Sequence, residues 1–327
     1  MAKVKYILGL SGGKDSAALA LHMRHNHPEL EIDYFFTDTG YELPEVYSYL
    51  DKLEAILGKE IVRLSPLGAL SRNIEPFYFW LEQYGFFLPS AGQRWCTIQM
   101  KLKAMETWLE PFFEEGYSVH SFVGIRADEN REGYKPTNPQ IEVHFPFMED
   151  GINKAGVLSI LENSGIGIPD YYDWRSRSGC TFCFFQQKIE WVRLLERHPK
   201  AYEEARILER ISFLWPLFKD DGIKVEEFNR LFKNKLFKEL NIFLDKEFEN
   251  KDEKISLNNF GWMQGESLDD LKNPKRIEAI KKDFEERKKR AIKRKRANPL
   301  LVGADDIEID EVYGVDPGIN VCVTCHK

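Results

Sequence analysis

A short segment rich in glycine and hydroxyl side chains constrains the fold of this chain more than any other. It reads Ser11-Gly12-Gly13-Lys14-Asp15-Ser16. It follows an apolar run at residues 6–10 and precedes an alanine- and leucine-rich stretch typical of a helix. Two glycines let the backbone approach a ligand, and the first turn of a helix presents unpaired N–H groups and the positive end of its dipole. The segment therefore predicts a strand-to-helix turn that binds an anion.

Further apolar runs predict more strands of the same sheet. They occupy residues 32–36, 60–64, 119–123 and 141–147. Stretches with helical spacing separate the runs at residues 6–10, 32–36, 60–64 and 119–123, an alternation typical of parallel sheets. The sequence thus predicts an α/β fold, a doubly wound parallel sheet over about 1–150. A mainly helical lobe is expected over 151–327.

Charge and hydropathy narrow the range of partners. The 327 residues carry a formal net charge of −7 at pH 7, so contact with nucleic acid would require a local basic patch. Residues 281–296 contain ten basic and three acidic side chains, which is typical of either a solvated helix face or a binding site for a phosphate backbone. The chain enters its first predicted strand directly and has no run of 18 apolar residues. We therefore expect a cytoplasmic protein with no membrane partner.

Polar residues follow two predicted strands, at the edge where parallel sheets bind ligands. Asp38-Thr39-Gly40 follows the second strand, and Gly124 follows the fourth. Arg126 and Arg131 come next, and guanidinium groups bind phosphate oxygens in pairs. The Asp-Thr-Gly segment is also typical of a turn closed by a side-chain-to-backbone hydrogen bond, and the arginine segment of a charged surface turn. Both interpretations stay open on the sequence alone.

Four of the five cysteines form two Cys-x-x-Cys pairs. These are Cys180 with Cys183 and Cys322 with Cys325. Structural disulfides are rare in a reducing cytoplasm, so metal ligation is the favoured interpretation. Four thiolates satisfy either Zn²⁺ or a [4Fe–4S] cluster, and the spacing does not choose between them.

The fifth cysteine, Cys96, is surrounded in sequence by cationic residues. Arg94 precedes it, and Lys101 and Lys103 follow it. A positive field favours the thiolate, so Cys96 is a candidate metal ligand or sulfur carrier. A lone cysteine is otherwise a small buried apolar residue.

These motifs together resemble a known enzyme family. The string at residues 11–16 looks like the PP-loop of the ATP pyrophosphatases, which cleave ATP between the α and β phosphates. Followed by Asp38-Thr39-Gly40, then Arg94-Trp95-Cys96-Thr97 with Lys101, then Gly124-Ile125-Arg126 with Arg131, it resembles the phosphoadenosine phosphosulfate (PAPS) reductase branch. The resemblance implies ATP and Mg²⁺ at the loop and catalytic roles for Lys14, Asp15, Cys96, Arg126 and Arg131. It also implies nucleotide contacts from the six loop residues Ser11 to Ser16 and from Asp38, Thr39, Gly40, Arg94, Lys101 and Gly124.

Within that branch the chain is similar to the ATP pyrophosphatase component of bacterial DNA phosphorothioation systems, of the Dnd and Ssp type. It lacks the C-terminal Glu-Cys-Gly motif of true PAPS reductases and adds two Cys-x-x-Cys pairs and a basic helix. This similarity implies DNA as the nucleic-acid partner, a cysteine desulfurase as sulfur donor, and a [4Fe–4S] cluster in preference to zinc. The alternatives are tRNA thiolation, PAPS reductase-type sulfur metabolism, chemistry like 7-deazaguanine synthesis, and a non-catalytic nucleotide-binding protein.

Overall fold

A five-stranded parallel sheet forms the centre of the N-terminal half. The computed structural model describes residues 3–67, 75–129, 136–176, 179–249, 261–263, 265–296 and 309–313. The strands are β1 (Lys3–Gly9), β2 (Ile32–Thr37), β3 (Ile61–Leu64), β4 (Tyr117–Phe122) and β5 (Ile141–His144), in the spatial order β3-β2-β1-β4-β5. Each neighbouring pair is parallel. The predicted α/β fold with a doubly wound parallel sheet is confirmed.

Helices flank the sheet and make up most of the C-terminal part. They are α1 (Lys14–Asn26), α2 (Pro44–Leu57), α3 (Pro76–Gln83), α4 (Trp95–Thr97), α5 (Lys103–Glu114), α6 (Pro146–Glu149), α7 (Lys154–Asn163), α8 (Lys188–Arg197), α9 (Pro199–Phe218), α10 (Gly222–Lys233), α11 (Phe237–Glu249), α12 (Leu268–Leu271), α13 (Pro274–Arg296) and α14 (Ile309–Tyr313). A π-helical segment, Ile98–Leu102, separates α4 from α5, and a 3₁₀ helix spans Asp170–Asp173. Among the described residues, no helix combines the length and apolarity needed to cross a membrane.

The core of the sheet lies under α5. Side chains on one face of the sheet pack against Met105 and Leu109 of this helix. These side chains belong to Ile7, Phe35, Leu64, Val119 and Ile141. Successive residues of a strand point to opposite faces, so the apolar alternation of these strands is what directs them to α5.

The chain divides into two compact units. The first comprises residues 1–78, 94–181 and 308–327, and the second comprises 79–93 and 182–307. The sequence placed a boundary near residue 150, whereas the first unit continues through 181. The continuation has a physical cause, because α7 packs against α1 beside the sheet.

A buried carboxylate organises part of the second unit. Glu209, in the middle of α9, accepts hydrogen bonds from the backbone N–H groups of Trp262 (3.0 Å) and Leu268 (2.6 Å). A Cβ at Gly261 would lie 2.7 Å from Glu209 Oε1, so only glycine leaves room for this contact. Burial raises the pKa of Glu209 to about 7, although the two backbone donors act in the opposite direction.

This carboxyl gives a prediction about stability and pH. The folded state favours the protonated form, so the contribution of Glu209 is fully present below the ordinary value of 4.5 and is lost as pH rises through about 7. Over that window we expect the unfolding free energy of the wild type to fall by about 3 kcal/mol relative to Glu209→Gln. Urea denaturation of both proteins between pH 4.5 and 8 measures the difference, and parallel pH profiles would contradict it.

Candidate functional site

The segment Ser11–Ser16 lies where the sheet reverses its winding. It follows β1, whose neighbours are β2 on one side and β4 on the other, and it leads into α1. Ligands of open parallel sheets bind at this position, off the carboxyl ends of the strands. The Ser16 hydroxyl accepts a hydrogen bond from the Ser11 backbone N–H (3.1 Å) and lies 3.0 Å from Ser11 Oγ. The first turn of α1 therefore holds the loop in place.

The two glycines of the loop are required for different reasons. Gly12 has a φ of +68°, which side chains of L-residues rarely adopt, and a Cβ there would lie 2.5 Å from Val46 Cγ1. Gly13 has an ordinary φ of −97°, but its Cβ would lie 3.1 Å from Ser11 Oγ and 3.3 Å from the Tyr172 hydroxyl. The loop backbone is therefore packed from both sides.

Two buried charges follow the glycines at the start of α1. The ammonium group of Lys14 lies 4.3 Å from the centroid of the Tyr172 ring, a cation–π contact. The carboxylate of Asp15 accepts a hydrogen bond from Arg126 Nη1 at 2.9 Å. A Cβ at Gly124 would lie 3.1 Å from the Asp15 backbone oxygen. The structure thus brings Gly124 and Arg126, which follow β4, into contact with Asp15.

Arg126 is surrounded by carboxylates. Besides Asp15, its guanidinium pairs with Asp128 (3.0 Å) and Glu129 (3.2 Å). Burial alone would lower the pKa of Arg126, but the charges of Asp15 and Glu129 outweigh it and the net pKa is raised. In this arrangement Arg126 orients Asp15, and a phosphate would have to compete with acidic side chains for it. The other predicted arginine, Arg131, lies outside the described residues.

The segment Asp38-Thr39-Gly40 after β2 forms a turn closed by a side-chain-to-backbone hydrogen bond, one of the two interpretations open on the sequence alone. Asp38 Oδ1 accepts hydrogen bonds from the Gly40 backbone N–H and from the Tyr47 hydroxyl, both at 2.8 Å. The Thr39 hydroxyl donates to Glu42 Oε1 at 2.9 Å. Asp38 and Thr39 therefore shape their own turn, and their predicted contacts with a nucleotide stay a prediction.

A carboxylate, a thiol and an ammonium group meet nearby in the first unit. Glu42 Oε1 lies 3.6 Å from Cys180 Sγ, and Lys101 Nζ lies 3.8 Å from the same sulfur. Burial raises the pKa of Glu42, while the charge of Lys101 and the hydrogen bond from Thr39 act in the opposite direction. A neighbouring ammonium group stabilises a thiolate, the form that binds metals and acts as a nucleophile. Two predicted site residues, Lys101 and Cys180, are thus in contact.

The backbone fixes this cluster through a short antiparallel bridge. Glu42 pairs with Cys180, with the Leu43 N–H donating to the Gly179 oxygen and the Thr181 N–H donating to the Tyr41 oxygen, both at 2.7 Å. A Cβ at Gly179 would overlap Val46 Cγ2. Val46 therefore packs against Gly179 as well as against Gly12 of the loop.

The remaining predicted residues have separate surroundings. Cys96 and Thr97 lie in α4, which begins directly after Arg94. Cys96 is half-buried. None of the three described cysteines is in a disulfide. Cys183 is half-buried in the turn before α8, where its carbonyl accepts the Gln186 N–H at 3.0 Å. Cys322 and Cys325 lie outside the described residues, so the proposed pairing of the two Cys-x-x-Cys motifs stays a prediction.

Comparison with known proteins agrees with this geometry. Residues 5–148 match the family model described as the phosphoadenosine phosphosulfate reductase domain. This part of the chain is therefore similar to the PAPS reductase domain. The match contains the Ser11–Ser16 loop, Asp15 and Arg126, and it covers less than half of the chain.

Individual relatives extend the comparison. An uncharacterized protein of Methanocaldococcus jannaschii is 32% identical over 211 residues, which is 62% of this chain and 41% of that protein, so the chain spans less than half the length of this relative. An uncharacterized protein of Escherichia phage 186 is 25% identical over 252 residues, covering 73% of its length. A solved phosphoadenylyl-sulfate reductase from Candida auris, in complex with phosphate, superimposes with a TM-score of 0.41 and 15% identity over 54% of this chain and 81% of that chain.

The sequence alone does not indicate several residues of this site. Glu42, Val46, Tyr171 and Tyr172 are brought to the loop or to Cys180 by elements distant in sequence. One signal was present for Gly179, because a glycine directly before a Cys-x-x-Cys motif indicates close backbone packing. Val46, Tyr171 and Tyr172 are ordinary core residue types, and no sequence pattern separates them from the core. Glu42 is a charged residue, and no local pattern indicates that it is buried.

The shared contact of Val46 generates a prediction. We expect Gly179→Ala to lower the unfolding free energy by about 1–3 kcal/mol, because the added methyl overlaps the valine. Val46→Ala in the same chain removes the overlap and should recover part of that loss, as a double-mutant cycle would show.

Gly12→Ala is the matched control. Its added methyl meets the same valine, but the φ of +68° strains any side chain there, so Val46→Ala should recover less. Additive effects of Gly179→Ala and Val46→Ala would refute the packing argument.

Proposed function

We propose that this protein is an enzyme of nucleotide-activated sulfur chemistry, and specifically an ATP pyrophosphatase that adenylates a backbone phosphate of DNA for sulfur incorporation. The observation that carries the proposal is the Ser11–Ser16 loop, packed at the reversal of a parallel sheet within a PAPS reductase-like domain. Its backbone N–H groups and the start of α1 suit a polyphosphate. The nearby cluster of Cys180, Lys101 and Glu42 adds a thiol in the same unit.

The proposed reaction has two displacement steps. A non-bridging oxygen of the acceptor phosphate attacks the α-phosphorus of ATP, the bond to the bridging oxygen breaks, and pyrophosphate leaves. A persulfide sulfur then attacks the activated acceptor phosphorus. AMP leaves and takes with it the acceptor oxygen that attacked ATP in the first step. A second thiol finally cleaves the S–S bond by exchange, becoming a disulfide and leaving sulfur on the acceptor. AMP is a better leaving group than the oxygen of an unactivated phosphate, because the negative charge that leaves is spread over a phosphate.

The residues of the loop have distinct roles in this scheme. Ser11, Gly12, Gly13 and Ser16 cradle the departing pyrophosphate, and Lys14 supplies positive charge where negative charge develops. Asp15 binds Mg²⁺ with the nucleotide, and Arg126 positions Asp15 through the 2.9 Å ion pair. Cys96 carries the persulfide delivered by a cysteine desulfurase.

The cysteine pairs are the proposed ligands of a metal centre. Cys180 and Cys183, with Cys322 and Cys325, would hold a [4Fe–4S] cluster or Zn²⁺. The donor chemistry fits at Cys180, because the ammonium group of Lys101 at 3.8 Å would favour the thiolate that either metal needs and would offset the opposing effect of the Glu42 carboxyl group at 3.6 Å. When bound, such a centre would supply a four-thiolate anchor for the C-terminal segment.

The basic segment of α13 supports nucleic acid as the acceptor. Ile280, Phe284 and Ala291 are buried on one side of this helix, whereas most basic side chains between 281 and 296 are exposed. A net charge of +7 over those 16 residues, in a chain of net −7, concentrates positive potential on the exposed side. Release of counterions then favours binding of a phosphate backbone.

PAPS reductase-type chemistry is the second candidate, favoured by the family model that matches residues 5–148. The two candidates differ in substrate. An ATP pyrophosphatase exchanges labelled pyrophosphate into ATP when its acceptor is present. A reductase releases sulfite from PAPS with a thiol reductant and needs no ATP. Sulfite release without exchange would overturn the first proposal in favour of the second.

The loop assignment is tested by Gly13→Val. The φ of −97° suits any residue, so the substitution acts through space alone, and the branched side chain would occupy the cradle beside Ser11 and Tyr172. We expect pyrophosphate exchange to fall at least about 10²-fold. Gly92→Val is the control, because no described atom lies within 4 Å of its Cβ position. Normal exchange by a Gly13→Val protein with wild-type circular dichroism would refute the assignment.

The nucleic-acid surface is tested by Lys289→Gln with Lys293→Gln, two exposed residues one turn apart on α13. The slope of log affinity against log salt for duplex DNA should become shallower by up to about 2, because each lost phosphate contact contributes roughly 0.9. Lys238→Gln with Lys246→Gln removes the same charge from α11 and serves as control. Equal slopes for both double variants would contradict binding of DNA by α13 and would show that its basic side is a solvated helix face.

A further inference from the structure

Two histidines and a glutamate lie together on the last two strands of the sheet. The register of β4 and β5 places His120 opposite Glu142 and Phe122 opposite His144. Alternation along a strand puts all three side chains on the same face. Their neighbours Val119 and Ile141 point to the opposite face, into the core under α5. The sheet therefore builds this group without using any residue of the Ser11–Ser16 loop.

The polar atoms of the three side chains converge. His120 Nδ1 lies 2.8 Å from His144 Nε2, and these nitrogens lie 3.8 Å and 3.7 Å from the oxygens of Glu142. One ligand atom from each side chain falls within 4.8 Å of the other two. Tetrahedral ligands about 2.0–2.2 Å from an ion lie about 3.3–3.6 Å apart, so the two nitrogens would separate by roughly 0.5 Å from their hydrogen-bonding distance when an ion binds.

The aromatic surroundings hold both imidazoles in orientation. The His120 and His144 rings stack with an interplanar angle of 7°, the Tyr6 ring lies 5.4 Å from His120, and the Phe122 ring lies 5.4 Å from His144. Both histidines are about a quarter exposed, whereas the Glu142 side chain is 67% exposed. Two ligands are thus held close together, and the third is exposed enough to reach an ion from solvent.

We propose that His120, Glu142 and His144 bind a divalent transition-metal ion of borderline softness, represented by Zn²⁺. Neutral imidazole nitrogens and one carboxylate form a ligand set that such ions prefer, and hard ions such as Mg²⁺ prefer oxygen alone. Three protein ligands leave a coordination position open for water or an anion. The ion would also tie β5, the edge strand of the sheet, to β4. This site is independent of the cysteines and of the proposed reaction.

The test separates this site from the cysteine pairs by ligand chemistry. The full chain, freed of metal with a chelator under reducing conditions, is titrated with Zn²⁺ by calorimetry and with Co²⁺ by absorption. Thiolate ligands give charge-transfer bands with Co²⁺ in the near ultraviolet, whereas imidazole and carboxylate ligands give visible bands alone. We expect the wild type to bind one ion that contributes no thiolate band.

Glu142→Gln and His144→Gln are the test variants, and His25→Gln, at an exposed position of α1, is the control. Each test variant should weaken the thiolate-free ion at least about 10-fold, while the control retains it. Metal-free melting temperatures verify that the variants fold. A metal titration in which every bound ion produces thiolate bands, or in which the test variants match the control, would overturn the proposal and leave the imidazole pair as a hydrogen bond between side chains.

Discussion

Contact of one valine side chain with two glycines is the constraint on which the candidate site depends. Val46, in the first turn of α2, fills the space that a Cβ would need at Gly12 and at Gly179. Protein interiors are close-packed, so a shift of this side chain displaces both backbones. The Ser11–Ser16 loop and the backbone that carries Cys180 are therefore positioned by the same contact, although they are far apart in sequence.

Buried charge is the second determinant of the site, and it is balanced locally. Lys14, Asp15 and Arg126 are each less than a tenth exposed, and burying unpaired charges of this kind is strongly unfavourable. Arg126 is balanced by three carboxylates, and Lys14 contacts an aromatic ring. Removing one partner of such a network leaves an uncompensated charge, so its members are coupled. For the anion binding that we propose at this loop, such fixed partners would reduce the reorganisation needed on binding.

The sequence predicted the fold well because the sheet depends on local patterns. Runs such as 32–36 and 119–123 correspond to β2 and β4 within two residues, since alternating or continuous apolar residues specify buried strands. The domain boundary was less predictable because it depends on packing of α7 against α1, and helical spacing does not specify a partner. At the site, the loop could be predicted from its glycines. The role of Glu42 could not be predicted, because its contact with Cys180 requires a bridge between distant segments.

The π-helical segment before α5 relates local backbone geometry to the chemistry of the site. A π-helical turn contains more residues than an α-helical turn, so Ile98–Leu102 changes the direction in which the following side chains point. Lys101 lies in this segment, is 8% exposed, and directs its ammonium group to the sulfur of Cys180. Such segments are uncommon and occur frequently at functional sites, because their poorer hydrogen bonding is retained only where the altered direction is needed. A cation placed in this way offsets the charge of the buried carboxyl group of Glu42, to which the thiol of Cys180 donates a hydrogen bond. A regular helix would present Lys101 in a different direction, so the irregularity itself supports a functional role for this thiol.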